Sequence, residues 1–294
     1  VEAIGPFDAR VGLSGALPRN VRNFYGLGNE TAFVDDDVAR LNLARVQADL
    51  GLEVGLGPGA FVSLGPTIRY ADPSRDDTLF TGPLAVLPDA AYESQAHAGG
   101  VGRVVFSTVD TPGNPKQGVR LVLEGAALAG IGGEAAPYGT VGGTLATFVP
   151  INLAPQVTLA LRAGGSHRIG AFPFFDAAVI GQAASVRGFR RERFAGRSAA
   201  FGNAEVRLKL FELPTYLVPF DVGVLGFADA GRVWIGTGDD VAGIENPIVA
   251  DGDEIHLGYG GGLWFGVLDR AALVLTAQIS EEETLASFGV GFHF

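Results

Sequence analysis

Residues 181–210 read GQAASVRGFRRERFAGRSAAFGNAEVRLKL, and their second half alternates like a β-strand. The polar residues on one face are Asn203, Glu205, Arg207 and Lys209, and the apolar residues on the other are Ala204, Val206, Leu208 and Leu210. Four polar positions opposite an apolar face suit a wall between lipid and a wet interior. The first half is a glycine- and arginine-rich loop, longer than a connection between two strands requires.

The composition favours strands over helices. The chain has 294 residues and is 47% hydrophobic, yet it contains no run of about 18 apolar residues that could form a membrane helix. Its 44 glycines and 20 phenylalanines indicate short strands and turns. A soluble all-β domain would have a similar composition, because it also buries one face of each strand. The two alternatives differ in the residues that lie on the other face of each strand and at the strand ends.

The charge and the reactive residues exclude several functions. A net charge of −11 argues against nucleic acid as a partner, because phosphate binding needs a broad basic surface. Cysteine is absent, which excludes disulfides and thiolate chemistry.

No catalytic or metal-binding pattern stands out in the sequence. The four histidines (His97, His167, His256 and His293) are scattered without metal-ligand spacing. The acidic runs Asp35–Asp37 and Glu281–Glu283 could hold a cation, but such runs in loops are usually solvated. No nucleophile elbow or phosphate-binding loop occurs. We therefore expect a non-enzymatic chain with no metal and no cofactor.

The strand pattern predicts about twelve strands in one domain that spans residues 1–294. Short connections near residues 58, 114, 153, 215 and 269 tend to alternate with longer ones near 28, 82, 183 and 245. An even strand number with alternating short turns and long loops is typical of a transmembrane β-barrel. The predicted fold is therefore all-β, a closed antiparallel barrel.

The end of the chain carries a second signal. Residues 287–294 read SFGVGFHF, and the alternation predicts one apolar face, formed by Phe288, Val290, Phe292 and Phe294. An ordinary edge strand is the alternative interpretation, although its exposed aromatic residues would promote aggregation.

Three segments resemble the Omp85-type outer-membrane barrels. Val186-Arg187-Gly188-Phe189 resembles the V-R-G-F/Y signature in the long sixth extracellular loop of that family. Residues 201–205 resemble the strand that follows this loop, and residues 227–231 match the partner motif F-x-D-x-G. The final segment resembles the C-terminal targeting strand of outer-membrane barrels, with Gly289, Phe292 and Phe294 in the characteristic places.

The resemblance implies a loop folded into the lumen. Arg187 would then pair with Asp229 and Glu205, while Gly188 would permit the turn at the tip and Gly231 would allow close backbone approach. An unpaired carboxylate at Asp229, in mid-strand, would be costly, which agrees with the pairing. The alternative is that these charges simply face a water-filled lumen.

The sequence departs from the family in two ways. Family barrels usually have sixteen strands, and the shortfall lies on the N-terminal side. The soluble POTRA modules that receive client polypeptides are also missing, so the chain is either a trimmed barrel or a branch with fewer strands and a different N-terminal partner. Residues 24–31, FYGLGNET, resemble segments of barrels appended to phosphoesterase-type domains.

The resemblance implies a location in the outer membrane of a Gram-negative bacterium, in contact with lipid. Two functions remain open: a barrel that inserts or translocates unfolded polypeptides through a seam between its first and last strands, and a barrel that anchors or exports an N-terminal hydrolase or acts as a passive pore. The sequence before Val1 would discriminate them. The oligomeric state does not follow from the sequence.

Overall fold

A computed structural model describes residues 2–4, 7–16, 21–33, 40–74, 84–85, 87–132, 135–151, 156–214, 220–236, 241–242, 249–250, 252–267 and 271–292. Strands dominate these residues, and the helical segments among them include three short 3₁₀ turns, Asp89–Tyr92, Phe174–Asp176 and Gln182–Ala184. No helix in the described residues has the length and apolar character needed to cross a membrane.

Twenty strands are defined in the described residues. In chain order they are β1 (Glu2–Ile4), β2 (Phe7–Ala16), β3 (Val21–Asn23), β4 (Leu27–Gly28), β5 (Arg40–Gly57), β6 (Ala60–Ser74), β7 (Gln95–Ser107), β8 (Gly118–Gly132), β9 (Tyr138–Ile151), β10 (Val157–Gly170), β11 (Phe172–Pro173), β12 (Ala178–Ile180), β13 (Phe194–Gly196), β14 (Ser198–Leu213), β15 (Phe220–Trp234), β16 (Val241–Ala242), β17 (Val249–Ala250), β18 (His256–Val267), β19 (Ala271–Ile279) and β20 (Thr284–Val290).

The main sheet contains 14 of these strands and follows the chain order. It runs β1-β2-β5-β6-β7-β8-β9-β10-β14-β15-β18-β19-β20, and β3 pairs beside β5. Each ladder is antiparallel, as short connections between consecutive strands require. In the described ranges this path is linear, and no ladder joins its two ends.

The two faces of the sheet differ in polarity, as the alternation of the sequence predicts. On β14, Val206 and Leu210 are exposed, whereas Glu205 and Arg207 are buried. On other strands the exposed positions include Leu50, Leu52, Leu64, Ile68, Leu145, Leu263 and Leu275. An apolar exposed face opposite a polar buried face is the reverse of a soluble domain.

The long connections form a cap with its own hydrophobic core at one end of the sheet. A small four-stranded sheet, β12-β13-β4-β17, joins segments from three different connections. The core contains Phe24, Leu27, Leu84, Leu87, Phe172, Phe174, Phe175 and Val241, and it packs on the strand ends at Leu41, Leu43, Ala71, Leu128 and Tyr138. These loops are therefore folded structure rather than a set of solvated tips.

The short connection between β7 and β8 packs across the opposite end. The Asp110 carboxylate accepts hydrogen bonds from three backbone amides of the turn, those of Thr111, Lys116 and Gln117. The carbonyl of Pro115 accepts a hydrogen bond from Arg207 Nη1 on β14 at 3.1 Å. Val109 also packs on Ala146, Phe148 and Ala160 of β9 and β10, so the turn reaches strands beyond its own neighbours.

The last residues of the chain correct one sequence-based prediction. Phe288 and Val290 are exposed as expected, but β20 ends at Val290, and Phe292 does not continue the same face. Gly291 has a φ of +86°, which ends the alternation. Phe292 instead packs on the buried Trp264, with ring centroids 5.7 Å apart. Phe294 lies outside the described residues.

Gly291→Val should weaken this inward turn, because a β-branched residue disfavours positive φ. We expect a loss of about 1–3 kcal/mol in the free energy of unfolding, measured by the fluorescence of Trp264 during urea unfolding in a Trp234→Phe background. Gly289→Val is the matched control, because nothing lies within 4 Å of a side chain added there. Equal losses for both variants would contradict this interpretation.

Candidate functional site

The connection between β10 and β14 enters the interior of the sheet. Its tip, Val186 to Phe189, is buried throughout, and Val186 and Phe189 pack in one cluster with Ala178, Ile180, Phe194, Ala199 and Val233. A loop that carries several arginines can be buried in this way only where each charge finds a partner.

Arg187 contacts both of the acidic residues that the sequence selects. Its Nε donates to Asp229 Oδ2 at 2.7 Å and its Nη2 to Asp229 Oδ1 at 2.8 Å, a bidentate pair. The backbone amide of Arg187 donates to the same Oδ2 at 3.0 Å, and Nη1 donates to Glu205 Oε2. The guanidinium also lies 3.7 Å from the centroid of the Phe227 ring. All donors and acceptors of this contact are shielded from solvent.

The charged network continues along β14. Glu205 Oε1 accepts a hydrogen bond from Arg207 Nε at 2.7 Å, so Glu205 is bound by the guanidinium groups of both Arg187 and Arg207. Arg207 in turn lies 3.7 Å from the Phe292 ring centroid. A continuous path of contacts therefore joins the loop tip to the inward-turned end of the chain.

Glycines make room for the loop tip. Gly188 has a φ of +93°, its amide donates to Gln278 Oε1 at 3.2 Å, and its carbonyl accepts from Ser280 Oγ at 2.7 Å. A Cβ at Gly231 would lie 2.7 Å from Val186 Cγ2. Gly258, which the sequence did not single out, is closer still, because its Cβ would lie 1.7 Å from the Arg187 carbonyl oxygen. Only Gly fits at such an approach.

The same loop makes a second buried charge contact that the sequence did not predict. Asp176 accepts a hydrogen bond from Arg45 Nη2 at 2.9 Å and from the Tyr138 hydroxyl at 2.6 Å. Arg168 Nε donates to the Asp176 carbonyl at 2.5 Å. Burial alone would raise the pKa of the Asp176 carboxyl, but the Arg45 charge and the Tyr138 hydrogen bond outweigh it and lower that pKa below its ordinary value.

The acidic run at Glu281–Glu283 also has a role that differs from the expected one. Glu282 and Glu283 were expected to be solvated, but they form ion pairs with Arg193 and Arg190 of the loop. That expectation was wrong because a run of charged residues in the sequence does not reveal which distant residues lie next to it in the structure. Asp35–Asp37 and His293 lie outside the described residues.

No group of three or more His, Asp or Glu side chains in the described ranges is placed to hold a metal ion. The absence of a cofactor and of enzymatic activity stays a prediction. What the interior arrangement can do is fix a loop in one position, because its charges are compensated there.

An exposed apolar face, a buried polar face and a charged loop in the interior are together the features of outer-membrane β-proteins. The Omp85 superfamily domain matches residues 10–267, and the chain therefore belongs to the Omp85 superfamily. The matched region includes the loop tip, Glu205, Asp229 and Gly258, but not the last two strands.

A solved structure agrees with this fold. The structure of BamA from Haemophilus ducreyi, lacking POTRA domains 1–3, matches at a TM-score of 0.60 and 13% identity, covering 86% of this chain and 56% of that one. The outer membrane transporter YddB from Escherichia coli also matches, at a TM-score of 0.35 and 11% identity, covering 99% of this chain and 41% of that one. The chain thus spans about half the length of these proteins. A search of curated proteins found no match.

Asp229→Ala should release the loop, because it leaves Arg187 buried beside Glu205 alone. We expect a loss of roughly 3–5 kcal/mol in the free energy of unfolding and faster trypsin cleavage at the loop arginines. Asp253→Asn is the matched control: it lies outside the loop, its partner Arg232 is partly exposed, and such a pair contributes little to stability. An Asp229→Ala variant with unchanged cleavage would exclude a role for the pair in holding the loop.

The Asp176 contact should make the cap sensitive to acid. Because the pKa of Asp176 is lower in the folded state, its ionisation stabilises the fold above the unfolded pKa, and this contribution is lost as the pH falls below about 4. The protection factors of residues 172–177 against hydrogen exchange should therefore fall below that pH. In Asp176→Asn this fall should be absent, and an identical pH dependence of the protection factors in both proteins would contradict the assignment.

Proposed function

We propose that the chain forms a closed barrel in the outer membrane of a Gram-negative bacterium. The first and last strands meet, the exposed apolar face contacts lipid, and the cap lies on the extracellular side. The observation that carries this proposal is the polarity of the sheet: Leu50, Leu64, Leu145, Leu263 and Leu275 are all exposed. In water such a surface would aggregate, whereas in a bilayer it is the required one.

We further propose that the barrel acts on polypeptides, inserting them into the membrane or passing them across it at the seam between its first and last strands. Membership of the Omp85 superfamily supports this proposal. The seven-residue β20, which ends one edge of the sheet, supplies a short ladder that a client strand could replace. The barrel itself then needs no catalytic group, no cofactor and no nucleic acid.

The competing functions have less support. A passive pore requires an open lumen, but the interior holds the loop tip, and the β7–β8 turn packs across the other end. An anchor for a hydrolase was suggested by residues 24–31. In the structure Phe24, Tyr25 and Leu27 are buried in the cap, and Asn29 bonds the Val233 backbone. Packing within this chain explains these residues without a further domain.

The test is reconstitution of the chain in lipid vesicles. An unfolded outer-membrane protein is added, and its folding is followed by the gel-mobility shift of heated against unheated samples. We expect faster client folding than in vesicles that hold an unrelated barrel of similar size, together with no steady conductance in planar bilayers. Equal folding rates would refute the insertion role, and a stable conductance would favour the pore.

Val206→Arg tests whether the exposed face contacts lipid. Val206 is an exposed residue near the middle of β14, and an arginine at the bilayer midplane should cost about 2–4 kcal/mol. Folding titrations in vesicles measure the loss, and Val206→Ala controls for the missing side chain. A cost near zero for arginine would place this face outside the hydrocarbon region.

A further inference from the structure

The main sheet has two edges that its ladders do not join. One edge is formed by the N-terminal strands β1 and β2, and the other by β20, which in the described residues pairs only with β19. Unpaired strand edges expose backbone donors and acceptors and need to be held or covered. Within the described ranges, contact between the two edges therefore has to pass through side chains and connections.

A single side chain bridges the connections at both edges. Arg193 Nη1 donates to Thr31 Oγ1 at 2.7 Å, and Nη2 donates to the Thr31 carbonyl at 2.6 Å. Thr31 lies in the connection between the long strands β2 and β5. Arg193 Nε donates to Glu282 Oε1 at 2.8 Å and Oε2 at 2.9 Å, and Glu282 lies between β19 and β20.

This contact is buried, unlike an ordinary surface ion pair. The Arg193 side chain is 1% exposed and that of Glu282 is 11% exposed. The guanidinium lies 4.9 Å from the Tyr25 ring centroid and 4.5 Å from that of Phe194. A shielded guanidinium that meets a carboxylate, a hydroxyl and a carbonyl at once uses the planar fork that only arginine provides.

A neighbouring arginine repeats the arrangement with more solvent access. Arg190 Nε donates to Glu283 Oε1 at 2.9 Å, and its guanidinium lies 5.3 Å from the Phe33 ring centroid. Phe33 belongs to the same connection as Thr31. Both arginines therefore reach from the central loop to the two edges.

We propose that Arg193 is a clasp that holds the first and last strands together at the loop end of the sheet, and that its release lets the two edges separate. The clasp rests on the proposed closed barrel. Arg193 follows Arg187 by six residues in the same loop, so withdrawal of the loop tip from the interior would also pull on the clasp. The loop thereby links occupancy of the interior to closure of the seam.

Spin labels at the two edges test the clasp in the full chain in lipid vesicles. Because the chain has no cysteine, Ala32→Cys and Thr284→Cys place one label on each side at an exposed position, and double electron–electron resonance gives the distance between them. We expect one narrow distance in the labelled parent. Arg193→Gln and Glu282→Gln should both shift the distribution to longer distances and broaden it, and Arg193→Lys should do so in part, because it keeps the charge but loses the fork.

Arg197→Gln is the matched control, since Arg197 belongs to the same loop but donates to the Gly170 carbonyl at 2.9 Å, at the end of β10 in the middle of the strand order. It should leave the distance unchanged. If the Arg193→Gln variant assembles in vesicles and keeps the distance of the labelled parent, the proposal that Arg193 holds the two edges together is refuted. If Arg193→Gln fails to assemble, Glu282→Gln decides alone by the same criterion. Failure of the barrel proposal itself is distinguishable, because the labelled parent would then show no heat-dependent gel shift in vesicles.

Discussion

The interior position of the Arg187 guanidinium is the constraint on which the rest of the site depends. Removing an ion from water costs several kcal/mol, and the cost is offset only where partners meet it with good geometry. Arg187 has two carboxylates and an aromatic face, supplied by Glu205, Asp229 and Phe227. Glu205 lies on β14, and Asp229 and Phe227 lie on the neighbouring strand β15. In the ladder between these strands Glu205 is opposite Phe227, and Asn203 is opposite Asp229. If β15 shifted by one residue relative to β14, the side chains of Asp229 and Phe227 would turn to the exposed face of the sheet. The loop thus requires one register of the strands that hold it.

The packing of the remaining interior follows from this placement. Towards the C-terminal strands lie the charged network and an apolar cluster of Leu225, Phe227, Trp264, Ala272 and Val274. Towards β5–β10 a polar cavity of about 450 Å³ remains, lined by residues such as Gln47, Glu124 and Arg168. Asp176 closes this side, because it ties the base of the loop to Arg45 and Tyr138. The loop is consequently held by two separate charge contacts, one to β14 and β15 and the other to β5 and β9.

Features that depend on neighbouring residues can be predicted from this sequence, whereas a contact between distant residues can be predicted only where a motif marks it. The faces of β14 follow from alternation, which depends on neighbouring residues only, and the meeting of Arg187 with Asp229 follows from the motif resemblance. Asp176 carries no comparable signal, since its partners lie 131 and 38 residues away on other strands. The inward turn of Phe292 was missed for another reason: the two-residue period continues in the sequence, while the positive φ of Gly291 breaks it in space.

Charge alone does not explain why the loop uses arginines rather than apolar side chains. A buried ion pair is often no more stabilising than a well-packed apolar pair of the same volume, but losing one partner is expensive. Arg187 and Arg193 are compensated where they lie, and any other loop position would leave buried charges without partners. Arg191, whose side chain is 64% exposed, faces Glu192 at 3.7 Å and incurs no such penalty. The buried arginines therefore favour one position of the loop over others more than they stabilise the fold. A loop that occupies a single defined position in the interior requires this property.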